Sequence, residues 1–319
     1  MTIFFNRPGR PRRTAGDGVL MGNALIWERD GRDWPNRQAS QFVRAAGIRW
    51  HFQVMGQGPV LLLLHGTGAS THSWRRLAPL LATRLSVVAP DLPGHAFTEL
   101  PQNELLSLSG MARALAQLLE TLGQKPAVVA GHSAGAAVLA RMTLDRSINA
   151  RALICLNGAL LPLGGLAGQV FSPIAKFLVT TSLASRLFAW RAAEEGVVER
   201  VIENTGSKLD AVGLALYRRL AANPGHVAAA LAMMANWDLA SLARDLPRLQ
   251  TPSLLVVGAN DLSIPPTQAF RVCDLLPAAS VSYLRGLGHL AHEEQPDTVA
   301  TKMIEFARNQ GLLSNEVDA

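Results

Sequence analysis

The stretch AVVAGHSAGAAVL at residues 127–139 constrains this chain more than any other. The β-branched pair Val128 and Val129 runs into Gly131-His132-Ser133-Ala134-Gly135, and small residues with helical spacing follow directly. That order predicts strand, tight turn and helix, with a serine at the apex. Glycines on either side remove the β-carbons that would hold strand and helix apart, so Ser133 can sit on a sharp, strained elbow with its hydroxyl pushed out of the fold. A serine hydroxyl is a weak nucleophile until a base takes its proton, so the elbow predicts a histidine and an orienting acid elsewhere. Matches to G-x-S-x-G also arise by chance; the strand-to-helix setting is what argues for function here.

Strand and helix patterns alternate around this stretch. Gln41 to Ala45 and Ile48 to Val54 alternate as a pair of strands, and Val60 to Leu64 is a continuous apolar run of the kind buried on both faces. Trp74 to Leu81 has helical spacing, Leu85 to Ala89 is a second buried strand, and Leu108 to Leu122 is an amphipathic helix stopped by Gly123. After the elbow helix, Ala152 to Leu156 reads as a further strand. Residues 160–244 then show no strand pattern, with helical segments at Ile174 to Ala192, Val197 to Asn204, Ala211 to Ala222 and His226 to Ala235. Alternation resumes with Ser253 to Gly258, a helix near Thr267 to Leu276, Ser280 to Leu284 and a final helix from Asp297 to Arg308. The expected fold is α/β: a mostly parallel central sheet flanked by helices, with right-handed crossovers. Residues 39–159 and 245–319 form the core, and 160–244 form a helical cap over the carboxyl edge of the strands, where open sheets bind ligands. Residues 1–38 are expected as a basic, flexible tail and linker whose Trp27 and Trp34 are free to pack on the body.

The base should lie on a loop beyond a late strand, and His289 follows Ser280 to Leu284 closely. His292, His65, His95 and His132 are the competitors; His292 reads as a packing neighbour at the start of the terminal helix. The acid should follow the preceding strand, which makes Asp261 the choice over Asp238, a residue better placed to cap the helix near Leu239. The order Ser133, Asp261, His289 is the one a nucleophile elbow of this type requires. Backbone N–H groups of Ala134 and Thr67 are the expected oxyanion donors. Asp91 to His95 reads as a supporting turn at the same edge, and Asn157 stands at another position where an acid could have followed a strand. The run HLAHEE is neither H-E-x-x-H nor H-x-x-E-H, so no metal site is expected, and acyl chemistry of this kind calls for no cofactor. In the cap, Phe171, Phe177, Leu187 and Phe188 could line a pocket for a large apolar molecule or equally seal the cap onto the sheet.

Charge narrows the partners. The net charge is +6, but Arg7, Arg10, Arg12 and Arg13 all precede the first acidic residue, Asp17, so the body is nearly balanced and carries no nucleic-acid-binding motif. No run of eighteen uncharged apolar residues occurs, so no membrane span is expected, although the basic tail and apolar cap leave peripheral membrane contact open. The first residues lack the apolar core of a signal peptide, and Cys155 and Cys273 sit in apolar surroundings; a reducing cytoplasm is the expected location.

Five motifs occur in order: HGTG (65–68), PDLPGH (90–95), GHSAG (131–135), VGAND (257–261) and GLGHLAHEEQP (286–296). Together they resemble the α/β-hydrolase superfamily over about residues 40–310. More narrowly, WERDGRDWPNR (27–37), LLLLHGTGASTHSW (61–74), LNGALLPLGGLAG (156–168) and NPGHVA (223–228) resemble the magnesium-chelatase accessory proteins of bacteriochlorophyll biosynthesis in phototrophic bacteria. That resemblance implies a role near magnesium insertion into protoporphyrin, with a tetrapyrrole as ligand and chelatase subunits as partners. It supplies no reaction, because one fold hosts many chemistries. Acyl hydrolysis of an ester and non-catalytic porphyrin binding both remain open at this point. Ala96 departs from the superfamily, where glycine commonly follows the P-G-H turn.

Overall fold

The computed structural model describes residues 24–101, 103–162 and 182–314. The hairpin of β1 (Ser40–Ala45) and β2 (Ile48–Met55) turns through Ala46 and Gly47, both at positive φ, the mirror-image turn that suits the right-handed twist of the strands. Then come β3 (Val60–Leu64), β4 (Ser86–Pro90), β5 (Val128–His132), β6 (Ala152–Leu156), β7 (Ser253–Gly258) and β8 (Ala279–Leu284). The spatial order is β1-β2-β4-β3-β5-β6-β7-β8. The β1–β2 and β2–β4 pairings are antiparallel, and all the others are parallel.

The helices are α1 (Trp27–Asp30), α2 (Leu77–Leu81), α3 (Leu108–Thr121), α4 (Ala134–Leu144), α5 (Ser182–Ala192), α6 (Val197–Glu203), α7 (Ala211–Ala221), α8 (Pro224–Ala235), α9 (Ala240–Asp245), α10 (Thr267–Leu275), α11 (Ala291–Glu294) and α12 (Pro296–Asn309). The central strands are apolar throughout because both faces are covered. Leu62, Leu64, Val129, Leu153 and Leu255 pack toward α3 and α4, while Leu61, Leu63, Val128, Ile154 and Val256 pack toward α2 and α12. The expected helix over 74–81 is shorter than its spacing implied: a 3-10 turn at Thr71–Trp74 precedes α2, with Ser70 capping the turn through the His72 N–H. Helices α5 to α8 fall within residues 160–244, the segment expected as a cap, with α5 packed on α8. The cap-to-core boundary expected at residue 244 falls inside α9, which Asp245 ties to Arg141 of α4 at 2.7 Å.

Residues 24–39 correct the expectation of a linker reaching to residue 38. Trp27 packs edge-on against Phe42 and Phe97, and Trp34 is buried, donating its indole N–H to Thr71 Oγ1 at 3.1 Å. Trp34 also packs with Leu216 and Leu220 of α7, and Arg219 of the same helix forks onto the Asp33 carboxylate with two 2.7 Å bonds. The segment therefore straps the cap to the body. Mixed charges hid this from periodicity, because the binding partners of Trp34 and Asp33 lie far away in the chain. Arg219→Ala is expected to cost about 1 kcal/mol, the upper end for a part-exposed pair with good geometry, and to lower the thermal midpoint slightly in a circular-dichroism melt.

Candidate active site

Ser133 sits between β5 and α4 at φ 50° and ψ −116°, a conformation that a residue with a β-carbon adopts only under strain. Its neighbours permit the turn. A β-carbon at Gly135 would run into the Leu64 carbonyl oxygen, and one at Gly131 into the Ala136 backbone nitrogen. The elbow is pinned by the Ser133 N–H bond to Leu156 O and by the Ser133 carbonyl, which accepts from Ala159 N–H, each at 3.0 Å.

Beyond β7 and β8 the structure brings the expected acid and base together. His289 Nδ1 and Asp261 Oδ2 are 2.8 Å apart, with both side chains buried. The carboxylate is fully engaged: Oδ1 accepts the Ser263 and Ile264 N–H groups, and Oδ2 also accepts Asn157 Nδ2, each at 2.8 Å. Asp261 therefore points both lone-pair faces at fixed donors and can hold only one orientation of the ring. Asn157 is thus a donor to the acid rather than an acid, a role its place at the end of β6 hinted at but did not specify. The His289 loop is held by the cap as well, through His289 N–H to Thr205 O at 3.2 Å and Leu290 N–H to Ser207 Oγ at 2.8 Å. No local sequence signal marks those two residues.

His132, the residue before Ser133, links the elbow to the His289 loop. His132 Nε2 donates to the His289 carbonyl at 3.0 Å, and the two rings lie 4.7 Å apart. On the other side Gly66 abuts the elbow, where an added β-carbon would lie 3.1 Å from Ser133 Cβ. The hydroxyl of the next residue, Thr67, contacts Met233 Sδ of α8 at 3.4 Å. The N–H of Ala134 is the first orphan donor of α4, and neither it nor the Thr67 N–H has an acceptor among the described residues.

The other candidates have structural partners. His292 Nε2 is 2.7 Å from Ser73 Oγ, beneath the ring of His132. His65 donates through Nδ1 to Gly66 O and accepts the Leu92 N–H on Nε2, both at 2.8 Å, which fixes one neutral tautomer. His95 lies 3.1 Å from the Pro93 carbonyl, and Asp238 accepts the Ala240 N–H at 2.8 Å, just ahead of α9. Asp91 bonds His51 Nδ1 at 2.6 Å in full burial; burial opposes its charge, yet the His51 contact outweighs it and holds the carboxyl down at about 2. A cluster no motif announced lies under the cap: Arg75 joins Glu293 and Asp210 at 2.7 Å each, and Tyr217 donates to Glu293 at 2.7 Å. Burial, opposed by Arg75, pushes the Glu293 carboxyl up to about 7.

Of the expected pocket residues, Phe171 and Phe177 lie outside the described residues. Leu187 and Phe188 are 56% and 52% exposed, because the helical phase of α5 turns Ser185 and Ala189 inward instead. Cys155 and Cys273 are free thiols, with burial pushing Cys155 up to about 12. Among the described residues no group of three or more His, Cys, Asp or Glu could hold a metal ion, and no helix is long and apolar enough to cross a membrane.

A strained serine between parallel strand and helix, in an eight-stranded and mostly parallel sheet flanked by helices, marks a hydrolase-type fold. Residues 61–302 match the alpha/beta hydrolase family, and the chain belongs to it. It is 36% identical over 276 residues to the magnesium-chelatase 30 kDa subunit of Rhodobacter capsulatus, covering 86% of this chain and 96% of that one. It is also 26% identical over 273 residues to haloalkane dehalogenase 2 of Mycobacterium tuberculosis, covering 81% and 91%. A thermophilic esterase from Thermogutta terrifontis, solved with malate bound, matches with a TM-score of 0.66 at 25% identity, covering 85% of this chain and 98% of the esterase.

Proposed function

We propose that this chain is a serine hydrolase of the carboxylic ester type, acting on a hydrophobic ester such as a tetrapyrrole ester in association with the magnesium-chelatase step of bacteriochlorophyll synthesis. The observation that carries the reading is the 2.8 Å bond between His289 and the fully engaged Asp261, on the same sheet edge as the strained Ser133. In this reading His289 Nε2 takes the Ser133 proton as Oγ attacks the ester carbonyl, and the Ala134 and Thr67 N–H groups stabilise the oxyanion. The tetrahedral intermediate collapses, the alcohol leaves with the proton from His289, and a water activated by the same imidazole releases the acid. A serine at the elbow speaks against dehalogenation like that of the mycobacterial relative's name, since displacing a halide needs a carboxylate whose alkyl ester water can later cleave.

The name of the 36% identical relative supports a second reading, a porphyrin-binding or chelatase-accessory protein that uses the fold without turnover. A fluorophosphonate probe separates the two. Wild-type protein is expected to be labelled at Ser133 and Ser133→Ala to stay unlabelled; folded wild-type protein that resists the probe would sink the hydrolase reading. In a phototrophic host, pigment synthesis that survives Ser133→Ala but fails on deletion would establish the accessory role.

A further inference from the structure

Helix α5 is turned the wrong way for a helix of a water-soluble cap. Its small residues, Ser185 and Ala189, face inward and are buried, while Leu183, Leu187, Phe188 and Trp190 are 76%, 56%, 52% and 62% exposed. An ordinary surface helix does the reverse. Leu183, Leu187 and Trp190 follow i, i+4, i+7 spacing and so make one outward stripe. At 3.6 residues per turn Arg186 lies on one flank of that stripe and Arg191 on the other. Arg191 is 3.5 Å from Glu194, just beyond the helix. From residue 146 to residue 193 the sequence contains five Arg and Lys residues and no Asp or Glu.

We propose that this face is a docking surface for an anionic lipid bilayer, with Leu183, Leu187 and Trp190 entering the headgroup boundary and Arg186 and Arg191 meeting lipid phosphates. An apolar stripe carrying a tryptophan between two arginines is the pattern by which a helix lies in a bilayer interface. A second copy is the poorer occupant, because a two-fold contact through this face would set the arginines of one copy against those of the other without a carboxylate on the stripe. Helix α5 packs on α8, whose Met233 touches Thr67, so the surface lies one helix away from the proposed oxyanion loop. A bilayer docked there could deliver an apolar ligand to the site, but the surface itself stands whether or not Ser133 turns over.

Flotation of the full-length protein with vesicles tests it. Wild-type protein is expected to float with mixed phosphatidylglycerol–phosphatidylcholine vesicles, less so at high salt, and to bind pure phosphatidylcholine much more weakly. Leu183→Ser combined with Trp190→Ser should weaken binding about tenfold or more. Both positions face solvent, and an unchanged melt verifies folding. A full-length variant with Arg7, Arg10, Arg12 and Arg13 replaced by Ser should retain most of the binding. Wild-type protein that ignores the anionic vesicles, a double variant that floats like wild type, or binding that disappears only with the four terminal arginines would each overturn the proposal. So would a wild-type dimer in light scattering that the double variant dissociates while neither floats. Fluorophosphonate labelling is read separately in solution, so failure of the hydrolase reading and failure of the docking surface are told apart.

Discussion

Asp261→Asn is expected to cut ester turnover by about 10⁴-fold while leaving the protein folded. Asparagine is nearly isosteric, and its carbonyl oxygen can keep the bonds that Oδ1 accepts from Ser263 and Ile264 N–H. The other arm is where the substitution acts. Oδ2 now accepts from both Asn157 Nδ2 and His289 Nδ1; an amide NH₂ there faces two donors. The imidazole relieves the conflict by moving its proton to Nε2 and accepting on Nδ1, which leaves no lone pair on the side that must take the Ser133 proton. Hydrolysis of a p-nitrophenyl ester and the rate of fluorophosphonate labelling should fall together, with an unchanged far-ultraviolet spectrum. A folded Asp261→Asn protein within about tenfold of wild type would show that another group orients the base.

Acid is expected to unfold this protein sharply, with a midpoint at about pH 5–6. All eight histidines of the chain are buried. For six of them, His65, His72, His95, His132, His226 and His292, burial pushes the pKa below its ordinary value, to about 4 for His226 and about 3 for His292. Geometry agrees: His226 accepts the Ala96 N–H on Nδ1 and faces Gly68 O through Nε2, so a second ring proton would meet a donor. The unfolded chain binds these protons near the ordinary pKa of about 6.5 and the folded chain refuses them, so the stability is present above that value and lost as pH falls below it. One unit below that ordinary value, at about pH 5.5, a histidine that stays neutral costs at most about 1.4 kcal/mol, so the six together cost at most about 8 kcal/mol. Glu293 acts in the opposite sense. Its raised carboxyl holds a proton in the fold that the unfolded chain releases, so between about pH 7 and pH 4.5 it adds about 2 kcal/mol as the pH falls. Several kcal/mol of net loss remain, against a typical total of about 5–15 kcal/mol. Circular dichroism and tryptophan fluorescence across a pH series would show the transition; full native signal at about pH 4.5 would mean that the rings protonate in place.

The position of Asp261 was readable because it follows β7, whose apolar run needs no tertiary context; that of His289 was readable from its closeness to β8, a strand that is only partly buried. The eight strands and the elbow were readable from local signals: alternation in β1 and β2, apolar runs in the central parallel strands, and a glycine-flanked serine. The histidine burial was not, since an imidazole reads alike in core and on surface, and its partners, such as Ser73 for His292, lie 219 residues away.

The sequence by itself determined the alternating order of strands and helices and the serine at the apex of the turn, because each depends on residues within a turn or two of one another. The tertiary structure alone decided that Asn157 donates to Asp261, that Thr205 and Ser207 hold the His289 loop, that Trp34 packs on α7 while Asp33 pairs with Arg219, and that α5 turns its large side chains outward. Those outcomes depend on which distant surfaces meet. Chain connectivity does not encode such meetings locally; they are selected by packing against elements a hundred or more residues away.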